Sequence, residues 1–488
     1  MTSRLDHITE QRLASLNRIR SLGIDPYPRC YHPSHIAREA QASFEQEGEG
    51  IEDASLAGRI MSKRSMGRMS FIDLRDRSGK IQLSLRSDLL GQEKYQLLQD
   101  IDIGDFIGAE GKLYRTKTGE VTLEVSDFAV LCKSLRPLPE KWHGLADVEK
   151  RYRQRYLDLI SNEASRHTFI VRSKIITAVR SFLDERGFME VDTPVLQPRA
   201  GGALARPFVT HHHALDQDLY LRIALELHLK RLVVGGFDRV YEMGRVFRNE
   251  GISVKHNPEF TLLECYQAYS DYSDMMRLVE DMFVHVASGV LGTTRLVRDR
   301  ATIDLGLPWQ RLDLRQAVKT YSGIDFEDYR DADSLRTRMV EMGMEVEAGK
   351  GRGRLIDELI STYVEPNIVQ PTFLVDYPVD MSPLAKRRQG DDRLVERFEG
   401  FVAGMEVANA FTELNDPLEQ RERFLQQQRA RVGDDEVEVA DEDFLQALEY
   451  GMPPTGGLGM GIDRMVMLLT DQHSIREVIL FPPLKTRE

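Results

Sequence analysis

The chain has 488 residues, 41% hydrophobic and 29% charged, with a formal net charge of −13: room for two or three domains and a large core, and an ordinary soluble balance. No apolar run approaches the ~20 residues needed to span a bilayer, and the opening MTSRLDHITEQRLASLNRIR lacks the apolar stretch of a secretory signal. The acidic total argues against indiscriminate polyanion binding but allows a local basic patch; three scattered cysteines, Cys30, Cys132 and Cys265, point to neither a disulfide framework nor a zinc site, and so to a reducing cytoplasm.

Leu5, Ile8, Leu13, Leu16, Ile19 and Leu22 recur at roughly helical spacing, with arginines at 4, 12, 18 and 20 between them. This predicts a surface helix with a solvated basic face, the core of a helical extension over 1–50. GIDPYP (23–28) breaks it. From Ser55 to Lys133 short strands alternate with Gly and polar turns. About five strands in that length predict a small Greek-key barrel of the OB type over 51–135. Residues 51–86 carry eight Lys/Arg and four acids, a local +4 that includes Phe71 and Gln82. Such a face holds unstacked bases; a merely solvated barrel is the alternative.

RPLPEKWHG (136–144) opens a linker that extends to 160. A helix over about 163–187 begins the last domain, 161–488. Several of its strands are joined by short turns, which favours an antiparallel sheet flanked by helices, hence an α+β chain overall. The acid-rich run 434–443 reads as a solvated loop and helix start. GKGRGR (349–354) reads as a loop with no function assigned.

Chemistry is concentrated in three places. The first is GRVFRNEGISVKHNPEFTLLECY (244–266). Alternation puts Phe260, Leu262, Glu264 and Tyr266 on one face and Thr261, Leu263 and Cys265 on the other. The second set suits a core and the first a ligand. Arg248 and Glu250 share a face at the end of the preceding strand, where an Arg can fork onto a phosphate or carboxylate. The second place runs from Glu399 to Glu413. A two-residue turn at Ala403-Gly404 would set Phe401 opposite Glu406 and Glu399 opposite Ala408. The two carboxylates become diagonal neighbours on one face. They repel unless a cation lies between them, and Mg²⁺ shared with phosphates is the economical one. Asn409, Phe411 and Glu413 share the other parity and join that face only through a bulge near Ala408. The third is GGLGMGIDR (456–464), a Gly-rich strand entering a helix with Arg464 in its first turn, where backbone N–H groups and guanidinium converge on an anion. Together these make a nucleotide site. It is not of the P-loop kind, since no GxxxxGK[ST] run exists.

These residues resemble a class II aminoacyl-tRNA synthetase, and within that class the bacterial lysyl-tRNA synthetase family. GFMEVDTP (187–194) is similar to the class's first motif, which builds the dimer interface. VFRNE (246–250) with HNPEFT (256–261) is similar to the second, and GLGMGIDR (457–464) to the third. The likeness covers essentially the whole chain, to LFPP (481–483). It implies that Arg248 holds the α-phosphate and meets the lysine carboxylate. Phe260 stacks on adenine, and Glu250, His256 and Asn257 line the ATP side. Arg464 takes the γ-phosphate, and Glu399 and Glu406 bind Mg²⁺, several ions per subunit. Gly202, Glu226, Glu264, Tyr266, Asn409, Phe411 and Glu413 form the lysine pocket. Glu226 is expected near the α-ammonium, and Glu413 with Tyr266 near the ε-ammonium. In the barrel Arg64, Phe71 and Gln82 take the anticodon-reading positions.

The chain departs from the family pattern in two stretches. Ala224-Leu225-Glu226-Leu227-His228 stands where the family usually reads Ala-Pro-Glu-Leu-Tyr, and His211-His212-His213 where it usually has His-His-Asn. Leu225 lifts a φ restriction just before Glu226, which is expected to loosen the pocket wall. The implied activity is that of a cytoplasmic homodimer with no membrane association. It joins L-lysine to its tRNA through lysyl-adenylate, with ATP as substrate and pyrophosphate released. A same-fold enzyme for aspartate or asparagine is one rival; a non-enzymatic RNA-binding protein is another.

Overall fold

A computed structural model describes residues 4–47, 52–139, 147–199, 201–203, 205–347, 349–430 and 441–485. The chain divides into two compact units, Met1–Ala146 and Asp147–Glu488.

In the first unit five strands, Ala54–Met66, Met69–Arg75, Lys80–Arg86, Phe106–Arg115 and Val121–Cys132, close into a barrel. The period of two is visible in the burial of the second strand, where Ser70, Ile72 and Leu74 are interior and Phe71 and Asp73 only half-buried; in the third strand Ile81, Leu83 and Leu85 fill the core, and Gln82 and Ser84 on the other face are buried as well. Four of the five strand junctions are antiparallel; Lys80–Arg86 pairs parallel with Val121–Cys132. The helices Arg4–Ser21 and Ala37–Glu47 pack Ile19, Ala37, Ala40 and Phe44 into the barrel core. The 1–50 segment is therefore part of this unit and not a separate extension. Its basic face is not simply solvated either. Arg12 is buried and donates to the carbonyls of Ile103, Ser134 and Arg136, which satisfies three acceptors in one step.

The second unit begins earlier than the 136–160 linker implies. Helices occupy Val148–Arg153 and Arg155–Ser161. Arg155 is fully buried against Asp158 and the carbonyl of Leu480, so this stretch is anchored structure; 140–146 lie outside the described residues. A nine-stranded sheet follows. Its central strands are Asp391–Val402, Met405–Thr412, Thr455–Gly461, Glu259–Ala268 and Arg239–Phe247, all antiparallel. Parallel pairing occurs only near the edges, where Met189–Glu190 joins Arg239–Phe247 and Gln310–Asp313 joins Thr372–Pro378.

One face of the sheet is covered by the helices Glu163–Asp184, Tyr272–Leu291 and Ile462–Leu469. Leu263, Cys265, Phe398, Val402, Ala410 and Leu458 are part of that core. The opposite face is walled by two smaller clusters, and the functional residues converge between them. In the GKGRGR run, Gly351 caps the helix Arg352–Leu359, and Arg352 donates to the carbonyls of Phe326 and Tyr329. Its second half is thus a helix start instead of a loop. In the acid-rich run, residues 434–440 lie outside the described residues. Asp441 caps the helix Glu442–Glu449 through the Phe444 N–H, 3.0 Å away.

Candidate active site

A cavity of about 480 Å³ opens on the exposed side of the central strands, within the range of small-molecule sites. Strand parity explains its lining. Phe260, Leu262, Glu264 and Tyr266 all reach it, while Leu263 and Cys265 turn into the helix-covered core.

At the nucleotide end, Arg248 follows directly on the strand Arg239–Phe247. Its guanidinium carbon lies 5.2 Å from the centre of the Phe260 ring, and its Nε donates to the Ile223 carbonyl at 3.3 Å. Burial pulls its pKa below the usual guanidinium value, against Glu250, Glu406 and Glu264. Arg464, in the first turn of the helix Ile462–Leu469, donates from Nη1 to the backbone oxygen of Glu406 at 3.0 Å and to its Oε2 at 2.8 Å. The start of that helix is pinned by Asp463, which accepts from the Thr261 N–H and from Arg172. His256 lies 3.5 Å from Arg464 Nη2. Burial first, then Arg464, lower its pKa and keep the imidazole neutral. Glu250 is exposed at the cavity rim. Asn257 donates to the Glu259 carbonyl, and its Oδ1 is buried without a donor among the described residues. The loop joining the two strands is tied down by Lys255, which donates to the Gly404 carbonyl at 2.8 Å and to Glu365 at 3.1 Å.

The turn at Ala403-Gly404 has two residues, with φ +52° and +68°, as a hairpin of this length requires. Phe401 opposes Glu406, but Glu399 opposes Asn409 and not Ala408. The register slips by one because Val407 is an extra residue, a bulge. That slip turns Asn409, Phe411 and Glu413 onto the face of Glu399 and Glu406, and all but Glu399 line the cavity. Glu399 sits behind the wall. Arg397 donates to its Oε1 at 2.5 Å and Tyr377 to its Oε2 at 2.8 Å. Burial pushes its pKa to about 7, with Arg397 opposing and Glu406 and Asp357 adding. Glu406 is also raised by burial, but Arg464 outweighs this and holds it below the ordinary value.

The amino-acid end is closed and acidic. Glu226, Glu264 and Glu413 are 7%, 6% and 1% exposed. Gly202, at φ +85°, lets the chain pass close to Glu226; a Cβ there would lie 3.3 Å from the Glu226 Cβ. A side chain at Gly457 would collide with both Glu413 and Tyr266. Tyr266, expected to face the ε-ammonium beside Glu413, lies next to Glu413 across Gly457 and donates its hydroxyl to Glu264 at 3.0 Å. The Leu225 N–H donates to the other Glu264 oxygen at 3.1 Å, so Leu225 ties the wall where a loosening was expected. Burial, then Glu226, push the Glu264 pKa up to about 7. Glu413 is raised well above its usual value by burial, against the pull of Lys230.

In the barrel unit, Arg64 pairs directly across from Phe71, and Gln82 lies diagonal to Phe71 on the next strand. All three point outward, away from the core. Phe71 is half-buried, not fully exposed as expected. The Gln82 amide bonds to Glu120 at 3.0 Å and to Thr122 at 3.1 Å. Two cations of the +4 segment are used internally: Lys63 on the carbonyls of Leu98 and Ile101, and Arg59 on the Phe106 ring.

Sequence reasoning passed over Lys230, Arg397 and Tyr377. Arg397 shares strand parity with Glu399, and Lys230 stands one helical turn after Glu226. Both pairings were readable from spacing. Tyr377 comes from a strand 22 residues away, and no local pattern announces it.

Residues 147–485 match the family model described as tRNA synthetases class II (D, K and N), and residues 54–131 match an OB-fold nucleic acid binding domain. A protein of Dehalococcoides mccartyi named lysine–tRNA ligase is 57% identical, covering 99% of this chain and 98% of its own. Proteins of the same name from Moorella thermoacetica and Roseiflexus castenholzii are 55% and 54% identical, with 98% and 99% of this chain covered and 97% and 100% of theirs. With the class's sheet, its two arginines and its acidic pocket in one unit and an OB barrel in the other, this chain belongs to the class II tRNA synthetases of the D, K and N group.

Proposed function

We propose that the chain is a lysine–tRNA ligase, which forms lysyl-adenylate and pyrophosphate from L-lysine and ATP and then transfers lysine to the 3′-hydroxyl of the terminal adenosine of tRNA(Lys). The observation that carries the choice of lysine is the amino-acid end: three buried carboxylates, Glu226, Glu264 and Glu413, face one arginine, Arg248. A substrate with two ammonium groups and one carboxylate complements that set. Aspartate or asparagine would set a second carboxylate or an amide, instead of a second ammonium, against those buried carboxylates. The names of the relatives support the same reading.

Arg248 stands between the two ends, placed to hold the lysine carboxylate and the α-phosphate together as the carboxylate oxygen attacks phosphorus. Phe260 offers its face to adenine, and the unpaired Asn257 Oδ1 offers an acceptor beside it. Arg464 reaches the outer phosphates. No side chain acts as nucleophile; orientation and charge carry the step.

Glu406, on the cavity wall, and Glu399 behind it supply the hard oxygen donors that Mg²⁺ prefers, with phosphates completing the shell. Bound there, the several ions we assign to each subunit would neutralise charge on the leaving pyrophosphate. On the barrel, Arg64, Phe71 and Gln82 are assigned to the anticodon. Exposed Met189, Val195 and Leu196 beside the first motif support a homodimer. The three free cysteines fit a cytoplasmic protein, and among the described residues no helix is long and apolar enough to cross a membrane.

The test is ATP–pyrophosphate exchange screened over all twenty amino acids. Lysine alone should drive it; exchange driven by aspartate or asparagine would overturn the reading.

A further inference from the structure

Helix Glu226–Val234 sets a lysine behind two of the carboxylates that line the cavity. Lys230 has no exposed surface at all. Its Nζ lies 2.5 Å from Glu226 Oε1, one turn back on the same helix, and is ion-paired with Glu413 Oε2, which follows the strand Met405–Thr412. The rings of Phe411 and Phe444 flank the ammonium at 5.5 and 5.8 Å. A buried lysine is costly unless it is paired, and here the partners are two of the three carboxylates assigned to the substrate. We propose that Lys230 is a positioning residue for substrate choice: it is an internal counter-ion that ties Glu226 to Glu413 and holds both carboxylates in place for the substrate.

On the lysine–tRNA ligase reading, on which this rests, Glu226, Glu264 and Glu413 bring three negative charges when all are ionised. Lys230 cancels one, leaving two for the two ammonium groups of lysine, with Arg248 left for the substrate carboxylate. Burial raises Glu413 against the pull of Lys230, so removing Lys230 raises it further and weakens its hold on an ammonium. The groups facing Glu413 are Lys230 and Glu226 from the helix and Glu264 and Tyr266 from the neighbouring strand. Lys230 is the only cation among them. Although burial disfavours its charge, Glu226 and Glu413 together raise its pKa above the ordinary value, so it stays charged across the working range. Lys230 also fixes geometry. The Glu413 side chain lies next to Gly457 and the Tyr266 ring, and the ammonium anchors its Oε2.

The full-length protein is compared with Lys230→Met, which keeps the length of the chain and removes its charge. Lysine-dependent ATP–pyrophosphate exchange should fall at least tenfold in kcat/KM. Its acidic limb should move to higher pH, and the lysine-to-norleucine ratio should narrow. KM for ATP should stay within about twofold. Unchanged kcat/KM and an unmoved acidic limb in a folded variant would overturn the proposal; so would tighter use of lysine. Lys230→Gln, which retains a donor without charge, should reproduce the defect if Lys230→Met does not fold.

If the unaltered protein shows no lysine-dependent exchange at all, it is the functional reading that fails, and the two failures are thereby separated.

Discussion

The two ends of the cavity handle charge in opposite ways. At the amino-acid end the charged groups are buried and balanced by one another: Glu413 and Lys230 have at most 1% exposure, and Glu264 receives a backbone N–H and a phenol. At the nucleotide end they are half open. The Arg464 and Glu406 side chains keep 21% and 35% of their surface, and Glu250 is exposed at the rim. A closed end discriminates, because a substrate that fails to pair strands a desolvated charge at a cost of several kcal/mol. An open end tolerates, because water and ions can replace what is missing. On the proposed reading, the first end selects and the second turns over a polyphosphate.

Arg248 joins the two ends, and its loss should be the largest and least selective. Arg248→Ala is expected to lower pyrophosphate exchange on the order of 10³-fold, equally for lysine and norleucine. A selective loss would mean that Arg248 belongs to the closed end alone. Glu406→Gln tests the open end. It should lower exchange on the order of 10²-fold through the metal step, while the lysine Kd measured by calorimetry stays within about threefold. A matching loss of lysine binding would erase the distinction between the ends. Glu413→Gln tests the closed end. The lysine-to-norleucine ratio of kcat/KM should fall by about 10-fold to 10²-fold, with KM for ATP unchanged. If that ratio stands, Glu264 becomes the candidate for the specificity carboxylate.

How far each end was legible in the sequence follows the same physics. Strand parity predicted that Phe260, Glu264 and Tyr266 share a face and that Leu263 and Cys265 do not, because period two is a local property. The turn at Ala403-Gly404 was readable for the same reason. The bulge at Val407 was not, since one extra residue is chosen by packing of the two strands and leaves no mark in composition. That bulge decides whether Asn409, Phe411 and Glu413 reach the pocket. The barrel was legible from its strand and turn texture, but the burial of Arg12 and the helices at 148–161 depend on distant carbonyls and on Leu480, which spacing cannot reveal. Roles in ATP and lysine binding, and the acidic pocket itself, came from resemblance to a family; residue types alone gave only a nucleotide site and a metal.

The smallest effect expected lies where the chain departs from the usual family pattern. The family pattern has proline where Leu225 stands, and the Leu225 N–H donates to Glu264 at 3.1 Å. Proline has no N–H to give. Leu225→Pro therefore removes one donor from a buried carboxylate that burial and Glu226 already push up to about 7. The N–H favours the ionised form, so its loss should raise the pKa further. A substrate ammonium is received by the ionised form, so kcat/KM for lysine rises with pH through the Glu264 pKa and levels off above it. In Leu225→Pro that rise should shift to higher pH, with a loss of about 1 kcal/mol, a few-fold, near neutrality and little change on the alkaline plateau. Proline holds φ near −65°, against −104° at Leu225, and the resulting strain would show as a lower Tm without moving the limb. Leu225→Ala keeps the N–H and should leave the limb where it is. If the limb is the same in all three proteins, Glu264 does not titrate with lysine binding, and the closed end is selective through Glu413 and Glu226 alone.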